Sequence, residues 1–136
     1  MSGARYARGM TGAPKRKRVL VAEDDPAIRK LLQTALASRY DVDVAEDGTQ
    51  ALAILARTPP PDLLLCDVMM PGIDGVTVAK RAKQSAATKH IPIIFLTAKT
   101  GSLDVIAGIQ AGAKHYIAKP FLISDVLAKI AKVLGV

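Results

Sequence analysis

The sequence lacks the features that cross-link a chain or anchor it in a membrane. It contains no tryptophan and one cysteine, Cys66, so no disulfide can form within the chain; a single thiol suits a reducing compartment. No apolar run approaches the ~18–20 residues that a membrane-spanning helix needs. The basic first residues are not followed by the apolar core of a secretory signal. We therefore expect a cytoplasmic protein with no membrane partner.

Acidic residues are absent from the first 18 positions, which hold six basic ones: Arg5, Arg8, Lys15, Arg16, Lys17 and Arg18. The net charge of +7 therefore belongs mostly to this segment, because the rest of the chain is nearly balanced. Glycine and proline are frequent there and large apolar residues are few, so we expect a disordered basic tail over 1–17 and one folded domain over 18–136. A charge confined to a tail gives no support for sequence-specific binding of nucleic acid.

Short apolar runs alternate with segments of helical periodicity along the rest of the chain. The apolar run Leu63–Cys66 is continuous, as is typical of a central strand that is covered on both faces. Five alternations of strand and helix predict an α/β protein with a doubly wound parallel sheet and helices on both faces. The expected strands lie near 19–22, 42–44, 63–66, 93–96 and 116–117, and the expected helices near 26–36, 47–58, 75–84, 103–111 and 122–134. The second helix is expected to end before Pro59.

Polar residues follow four of the five expected strands. They are Glu23 and Asp24 after the first strand, Asp67 after the third, Thr97 after the fourth and Lys119 after the fifth. In open α/β sheets, ligands bind at the carboxyl ends of the strands. Three carboxylates brought together would repel one another, and Mg²⁺ prefers a few carboxylates with water and phosphate oxygens. With Mg²⁺ and Lys119 the charges balance, and the site can receive another anion.

A phosphoryl group fits that description of the anion. A carboxylate can act as a nucleophile and form an aspartyl phosphate, and such transfer needs alignment and charge neutralisation above all. Asp67 is the expected phosphoacceptor because it follows the central strand. The other groups are expected to contact the metal or the phosphoryl oxygens: Asp24 the metal, Glu23 a metal-bound water, the Met69 carbonyl the metal, and Lys119 and Thr97 the phosphoryl oxygens.

Four ordered segments, 19–26, 66–75, 96–98 and 116–120, resemble those of two-component response-regulator receiver domains, in particular single-domain regulators of the chemotaxis type. The resemblance covers Arg18 to Val136. It implies a flavodoxin-like five-stranded sheet of order 2-1-3-4-5, phosphorylation of Asp67 and dependence on Mg²⁺. It also implies a cis peptide bond between Lys119 and Pro120.

The same resemblance implies a switch and its partners. Thr97 would move toward the phosphoryl group and Tyr116 would follow, which reshapes the face formed by the fourth expected helix, the fifth strand and the last helix. The donor would be a histidine kinase or a histidine phosphotransfer protein, and a downstream protein would bind the reshaped face. A phosphorylation-dependent homodimer is also compatible with this scheme.

Further expectations concern the chemistry of the switch. Met69 and Lys99 lie two residues beyond Asp67 and Thr97, and they are expected to set the lifetime of the phosphoryl group. Glu23 stands where many receivers carry aspartate, so we expect a tuned metal affinity. The chain is expected to catalyse only its own phosphorylation and dephosphorylation, and no effector domain is expected after the last helix.

Two other functions are compatible with parts of this pattern. Mg²⁺-dependent phosphatases also use an aspartyl nucleophile, but they place a second acid two residues later, where this chain has Met69. A nucleic-acid-binding module acting through the tail is the other alternative; the tail lacks interleaved aromatic residues, and no helix-turn-helix segment follows the domain. Cys66 is interpreted as a small core residue rather than a nucleophile.

Overall fold

Five parallel strands form the centre of the molecule. The computed structural model describes residues 16–98 and 115–136. The strands are β1 (Arg18–Ala22), β2 (Asp41–Ala45), β3 (Leu63–Asp67), β4 (Ile93–Ala98) and β5 (His115–Lys119). They are ordered β2-β1-β3-β4-β5, and every neighbouring pair is parallel. The predicted fold class and the sheet order implied by the resemblance are both confirmed.

Within residues 16–98 and 115–136, four helices cover the sheet: α1 (Pro26–Leu36), α2 (Gly48–Leu55), α3 (Gly75–Gln84) and α4 (Ile123–Leu134). Asp25, Asp47 and Asp74 cap α1, α2 and α3, because each carboxylate accepts hydrogen bonds from backbone N–H groups of the first turn. The helix expected over 103–111 lies outside the described residues. None of the described helices is long and apolar enough to cross a membrane.

Alternate side chains of the strands point into two separate cores. On β3, Leu64 and Cys66 pack with residues of α2 and α3, whereas Leu63 and Leu65 pack with residues of α1 and α4. All five residues of β3 are buried, which explains why the sequence of this strand is apolar without alternation. Burial of each such leucine stabilises the fold by roughly 1.5–3 kcal/mol. The strand that ends at Asp67 is therefore the only strand of the described sheet in which every residue is buried.

Two glycines allow the helices on one face to begin close to the loop after β3. A Cβ atom on Gly75 would overlap the carbonyl oxygen of Asp67, and one on Gly48 would overlap the carbonyl oxygen of Ile73. Only glycine fits such close approaches of one backbone to another. The starts of α2 and α3 thus support the loop that follows Asp67.

The expected basic tail lies outside the described residues except for Arg16 and Lys17. The guanidinium group of Arg16 donates hydrogen bonds to the carbonyl oxygens of Ala37, Arg39 and Tyr40, just after α1 ends. Arg16 therefore already contacts the folded domain, at the edge of the sheet where the strands begin.

Candidate functional site

Three carboxylates meet at the carboxyl ends of β1 and β3. Glu23 and Asp24 directly follow β1, and Asp67 is the last residue of β3. Because β1 and β3 pair in parallel register, with Ala22 beside Cys66, the two chain segments end at the same point. One oxygen from each carboxylate lies within 4.8 Å of the other two. The site predicted from the strand ends is assembled in the structure.

Lys119 places its ammonium group between two of these carboxylates. Its Nζ atom lies 2.9 Å from Oδ2 of Asp67 and 2.8 Å from Oε1 of Glu23. β5 is not adjacent to β3, so the long lysine side chain crosses the end of β4 to reach the acids. The peptide bond between Lys119 and Pro120 is cis. One ammonium group thus faces three carboxylates.

Glu23 is the most deeply buried member of the group. Its residue is 0% exposed, whereas Asp67 is 5% exposed and Asp24 is more accessible than either. Its Oε2 atom accepts a hydrogen bond of 3.0 Å from the backbone N–H of Asp25. Its Oε1 atom makes no hydrogen bond, and its contact with Lys119 is an ion pair without hydrogen-bond alignment.

Burial affects the pKa values of Glu23 and Lys119. It raises the pKa of Glu23 to about 7, although the ammonium group of Lys119 and the N–H group of Asp25 oppose this change. Burial also lowers the pKa of Lys119, but its contacts with Glu23 and Asp67 outweigh that effect, so the pKa lies above its ordinary value. Lys119 is therefore charged at neutral pH, whereas the pKa of Glu23 lies close to neutral pH.

The donor set fits a hard divalent cation. All three groups are carboxylates, and such oxygens, with water, are the ligands that Mg²⁺ prefers. The single ammonium group of Lys119 does not neutralise three carboxylates. In addition, the buried Oε1 atom of Glu23 has no hydrogen-bond donor among the described residues, and the ammonium group of Lys119 that pairs with it is shared with Asp67.

The loop after β3 brings Met69 next to Asp67. The backbone N–H of Met69 donates a hydrogen bond of 3.3 Å to Oδ1 of Asp67. The Met69 side chain points to solvent and is 65% exposed, whereas Met70 is buried. Lys99, the other residue expected to influence hydrolysis, lies outside the described residues.

Thr97 and Tyr116 face the same side of the sheet. Phe95 and Tyr116 are register partners on β4 and β5, and Thr97 lies two residues beyond Phe95. The hydroxyl of Thr97 donates to the carbonyl oxygen of Ala98 at 3.3 Å, and in the described part of the chain it makes no hydrogen bond with Asp67 or Lys119. The Tyr116 ring packs against Phe95, with 5.9 Å between ring centroids.

The sequence model of the response regulator receiver domain matches residues 19–131. The chain belongs to the receiver-domain family. It is 45% identical over 111 residues to the response regulator PleD of Caulobacter vibrioides, and this match covers 81% of the chain and 24% of PleD. The chain spans about a quarter to a half of the length of the curated relatives it matches.

Solved receiver structures agree with this assignment. The chemotaxis response regulator CheY4 of Vibrio cholerae superposes with a TM-score of 0.82 at 30% identity, over 88% of this chain and all (100%) of CheY4. The receiver domain of the sensor histidine kinase PA1611 of Pseudomonas aeruginosa superposes with a TM-score of 0.81 at 29% identity, over 89% of this chain and 99% of that domain. A magnesium ion is coordinated in the active-site cleft of the PA1611 structure.

Membership in the family establishes the general role of the chain. Receiver domains are signalling domains that take phosphoryl groups from histidine kinases and bind Mg²⁺ at an acidic pocket. Glu23, Asp24 and Asp67 form an acidic cluster whose geometry could hold a metal ion. This receiver domain is therefore a module of phosphorylation-dependent signalling.

One residue that contacts the acidic loop was missed by the sequence analysis. Arg29, on the second turn of α1, donates hydrogen bonds to the carbonyl oxygens of Glu23 at 2.9 Å and Asp24 at 3.3 Å. Contacts of a side chain with backbone carbonyls leave no pairing pattern in a sequence. The one available signal was a basic residue one helical turn after the acidic loop.

Proposed function

We propose that this receiver domain is a switch in which Asp67 accepts a phosphoryl group from the phosphohistidine of a histidine kinase or a histidine phosphotransfer protein. The observation that carries the proposal is the environment of the Asp67 carboxylate. Lys119 binds its Oδ2 atom, the N–H group of Met69 binds its Oδ1 atom, and Glu23 and Asp24 lie beside it. A buried carboxylate held at both oxygens is oriented for attack on an incoming group.

In the transfer step, a carboxylate oxygen of Asp67 forms a bond to phosphorus while the bond between phosphorus and the donor's imidazole nitrogen breaks. The electron pair of that bond leaves with the imidazole, which takes up a proton. When bound by Asp24, Asp67 and the Met69 carbonyl, with Glu23 holding a metal-bound water, Mg²⁺ would supply positive charge to the phosphoryl oxygens. Lys119 then pairs with a phosphoryl oxygen in place of a carboxylate, and Thr97 donates its hydroxyl to another.

Hydrolysis of the aspartyl phosphate depends on access for water. The exposed Met69 side chain stands at the mouth of the site, next to Asp67. We assign Met69, together with Lys99, to the control of that access and hence of the phosphoryl lifetime. Since Met69 occupies the position where aspartyl phosphatases carry a second acid, the chain would act only on its own phosphoryl group.

The output of the switch would pass from Thr97 to Tyr116. Thr97 and Tyr116 lie on the same face of the sheet. Movement of Thr97 toward the phosphoryl group would leave space on that face for the Tyr116 side chain. Tyr116 borders a groove of about 340 Å³ between β5 and α4, lined also by Ile117, Phe121 and Leu122. We propose that a downstream protein binds this face, together with the segment 103–111, which is expected to form a helix between β4 and β5. A homodimer that forms through the same face after phosphorylation would be a second outcome.

We further propose that residues 18–136 form the receiver domain, that the basic tail over 1–17 lies outside it, and that the protein acts in the cytoplasm. Phosphorylation experiments on the whole chain include any effect of this tail. The tail's charges would give only weak, salt-dependent binding to nucleic acid.

The experiment is phosphorylation with acetyl phosphate and Mg²⁺, followed by mass spectrometry of the intact protein. The wild type should gain one phosphoryl group, and both Asp67→Asn and removal of Mg²⁺ by EDTA should prevent the gain. Asp74→Asn is the matched control, because it changes an aspartate of the same loop to a residue that still caps α3. No gain in the wild type, or an equal gain in Asp67→Asn, would refute the proposal.

A further inference from the structure

Arg29 reaches back from α1 to the loop that carries Glu23 and Asp24. Its Nη1 atom donates to the carbonyl oxygens of both residues, at 2.9 Å and 3.3 Å. We propose that Arg29 is a positioning residue that fixes this loop so that the Asp24 carboxylate is presented to the cation. The inference rests on the proposed function, because it assigns Asp24 to the metal.

The two acids of the loop are held in different ways. The Glu23 side chain is fixed by the N–H group of Asp25 and by Lys119, and its own N–H donates to the carbonyl oxygen of Ala45. The Asp24 carboxylate, by contrast, makes no hydrogen bond or ion pair within residues 16–98 and 115–136. Its position is therefore set by the backbone alone.

The peptide group between Asp24 and Asp25 is held on both sides: its N–H donates to Oε2 of Glu23, and its carbonyl oxygen accepts from Arg29. Asp25 anchors the next residue by capping α1, through hydrogen bonds from Ala27 and Ile28. Between this cap and the end of β1, the carbonyl of Asp24 has only the Arg29 guanidinium group as a side-chain partner among the described residues. Residues that orient metal ligands in this way commonly change metal affinity by roughly 10–100-fold when they are replaced.

An effect of Arg29 through its charge and an effect through positioning predict opposite changes in Mg²⁺ affinity when Arg29 is replaced. The two effects can therefore be separated by experiment. A positive charge beside the acidic pocket repels a cation. If Arg29 acted by charge alone, its removal would strengthen Mg²⁺ binding. If it positions Asp24, its removal weakens Mg²⁺ binding although one repulsive charge is gone.

The test is calorimetric titration of the full chain with MgCl₂ at constant pH and ionic strength. Arg29→Gln should weaken Mg²⁺ binding by roughly 10-fold or more. Arg29→Lys keeps the charge but bridges the two carbonyls poorly, so its affinity should be intermediate. Lys30→Gln is the matched control, because Lys30 is the exposed neighbour on the same helix; it should leave affinity unchanged or slightly higher.

Hydrogen exchange of the metal-free protein gives a second measurement that does not depend on the metal. Amides of residues 22–28 should exchange faster in Arg29→Gln than in the wild type, while amides of β3 and β4 exchange at the wild-type rate. Should Arg29→Gln fail to fold, the comparison of Arg29→Lys with Lys30→Gln decides in the same two measurements.

Affinity for Mg²⁺ equal to or greater than that of the wild type in a folded Arg29 variant would overturn this inference alone. Failure of the wild type to bind Mg²⁺ would instead overturn the proposed function, and the inference with it. The two results are distinguished by the wild-type titration.

Discussion

Replacement of Glu23 with glutamine should change how the stability of the metal-free protein depends on pH. Burial raises the pKa of this carboxyl from 4.5 to about 7. The folded protein therefore binds the proton more tightly than the unfolded chain, and the stability that this provides is complete below pH 4.5 and is lost as pH rises through 7. At about 1.4 kcal/mol for each unit of pKa, the loss amounts to about 3 kcal/mol.

The assay is urea unfolding in the presence of EDTA, followed by circular dichroism at several pH values between 4.5 and 7.5. The free energy of unfolding of the wild type should fall relative to that of Glu23→Gln as pH rises through this range. Glu46→Gln is the matched control, because Glu46 is an exposed glutamate at the end of β2, and its profile should run parallel to that of the wild type. A Glu23→Gln profile that also runs parallel to the wild type would refute the reasoning.

Three other predictions follow from the same site. A nearby cation favours the ionised form of Glu23, so the affinity for Mg²⁺ should fall as pH decreases below about 7, and calorimetry should detect proton release on binding. An affinity that does not change from pH 5.5 to 8 would contradict this. Lys119→Met should destabilise the metal-free protein by about 2 kcal/mol, which is less than the ~3–5 kcal/mol of a fully buried pair because the lysine side chain is 22% exposed. In urea unfolding, Mg²⁺ should restore most of this lost stability. An unchanged stability without metal would show that the contacts of Lys119 contribute nothing. Gly48→Ala should cost about 1–3 kcal/mol, because the added methyl group overlaps the backbone of Ile73; wild-type stability in thermal unfolding would show that the loop yields freely.

The parts of the fold that could be predicted are those set by periodicity and strand ends. The apolar run at 63–66 identified the central strand, and the polar residues after four strands identified the edge where Asp67 meets Lys119. Both depend on local patterns that the sheet topology then brings together. The register of β1 with β3 then brings Glu23 and Asp24 to the same end of the sheet as Asp67.

Contacts that depend on side-chain reach could not be predicted. The sequence analysis assigned Glu23 to a metal-bound water and Lys119 to phosphoryl oxygens, but in the structure the two side chains also contact each other at 2.8 Å. Their distance is decided by the length of both side chains and by the width of β3 and β4, which lie between β1 and β5. The contact of Arg29 with the acidic loop was missed for a similar reason, because it involves carbonyl groups that every residue has.

The most direct test of the central claim is a crystal structure of the protein grown with Mg²⁺ and beryllofluoride, a mimic of the phosphoryl group. The account predicts an octahedral ion at about 2.0–2.1 Å from carboxylate oxygens of Asp24 and Asp67, with beryllofluoride on Asp67 and Nζ of Lys119 in contact with it. An ion bound elsewhere, or beryllofluoride absent from Asp67 at saturating concentration, would contradict it.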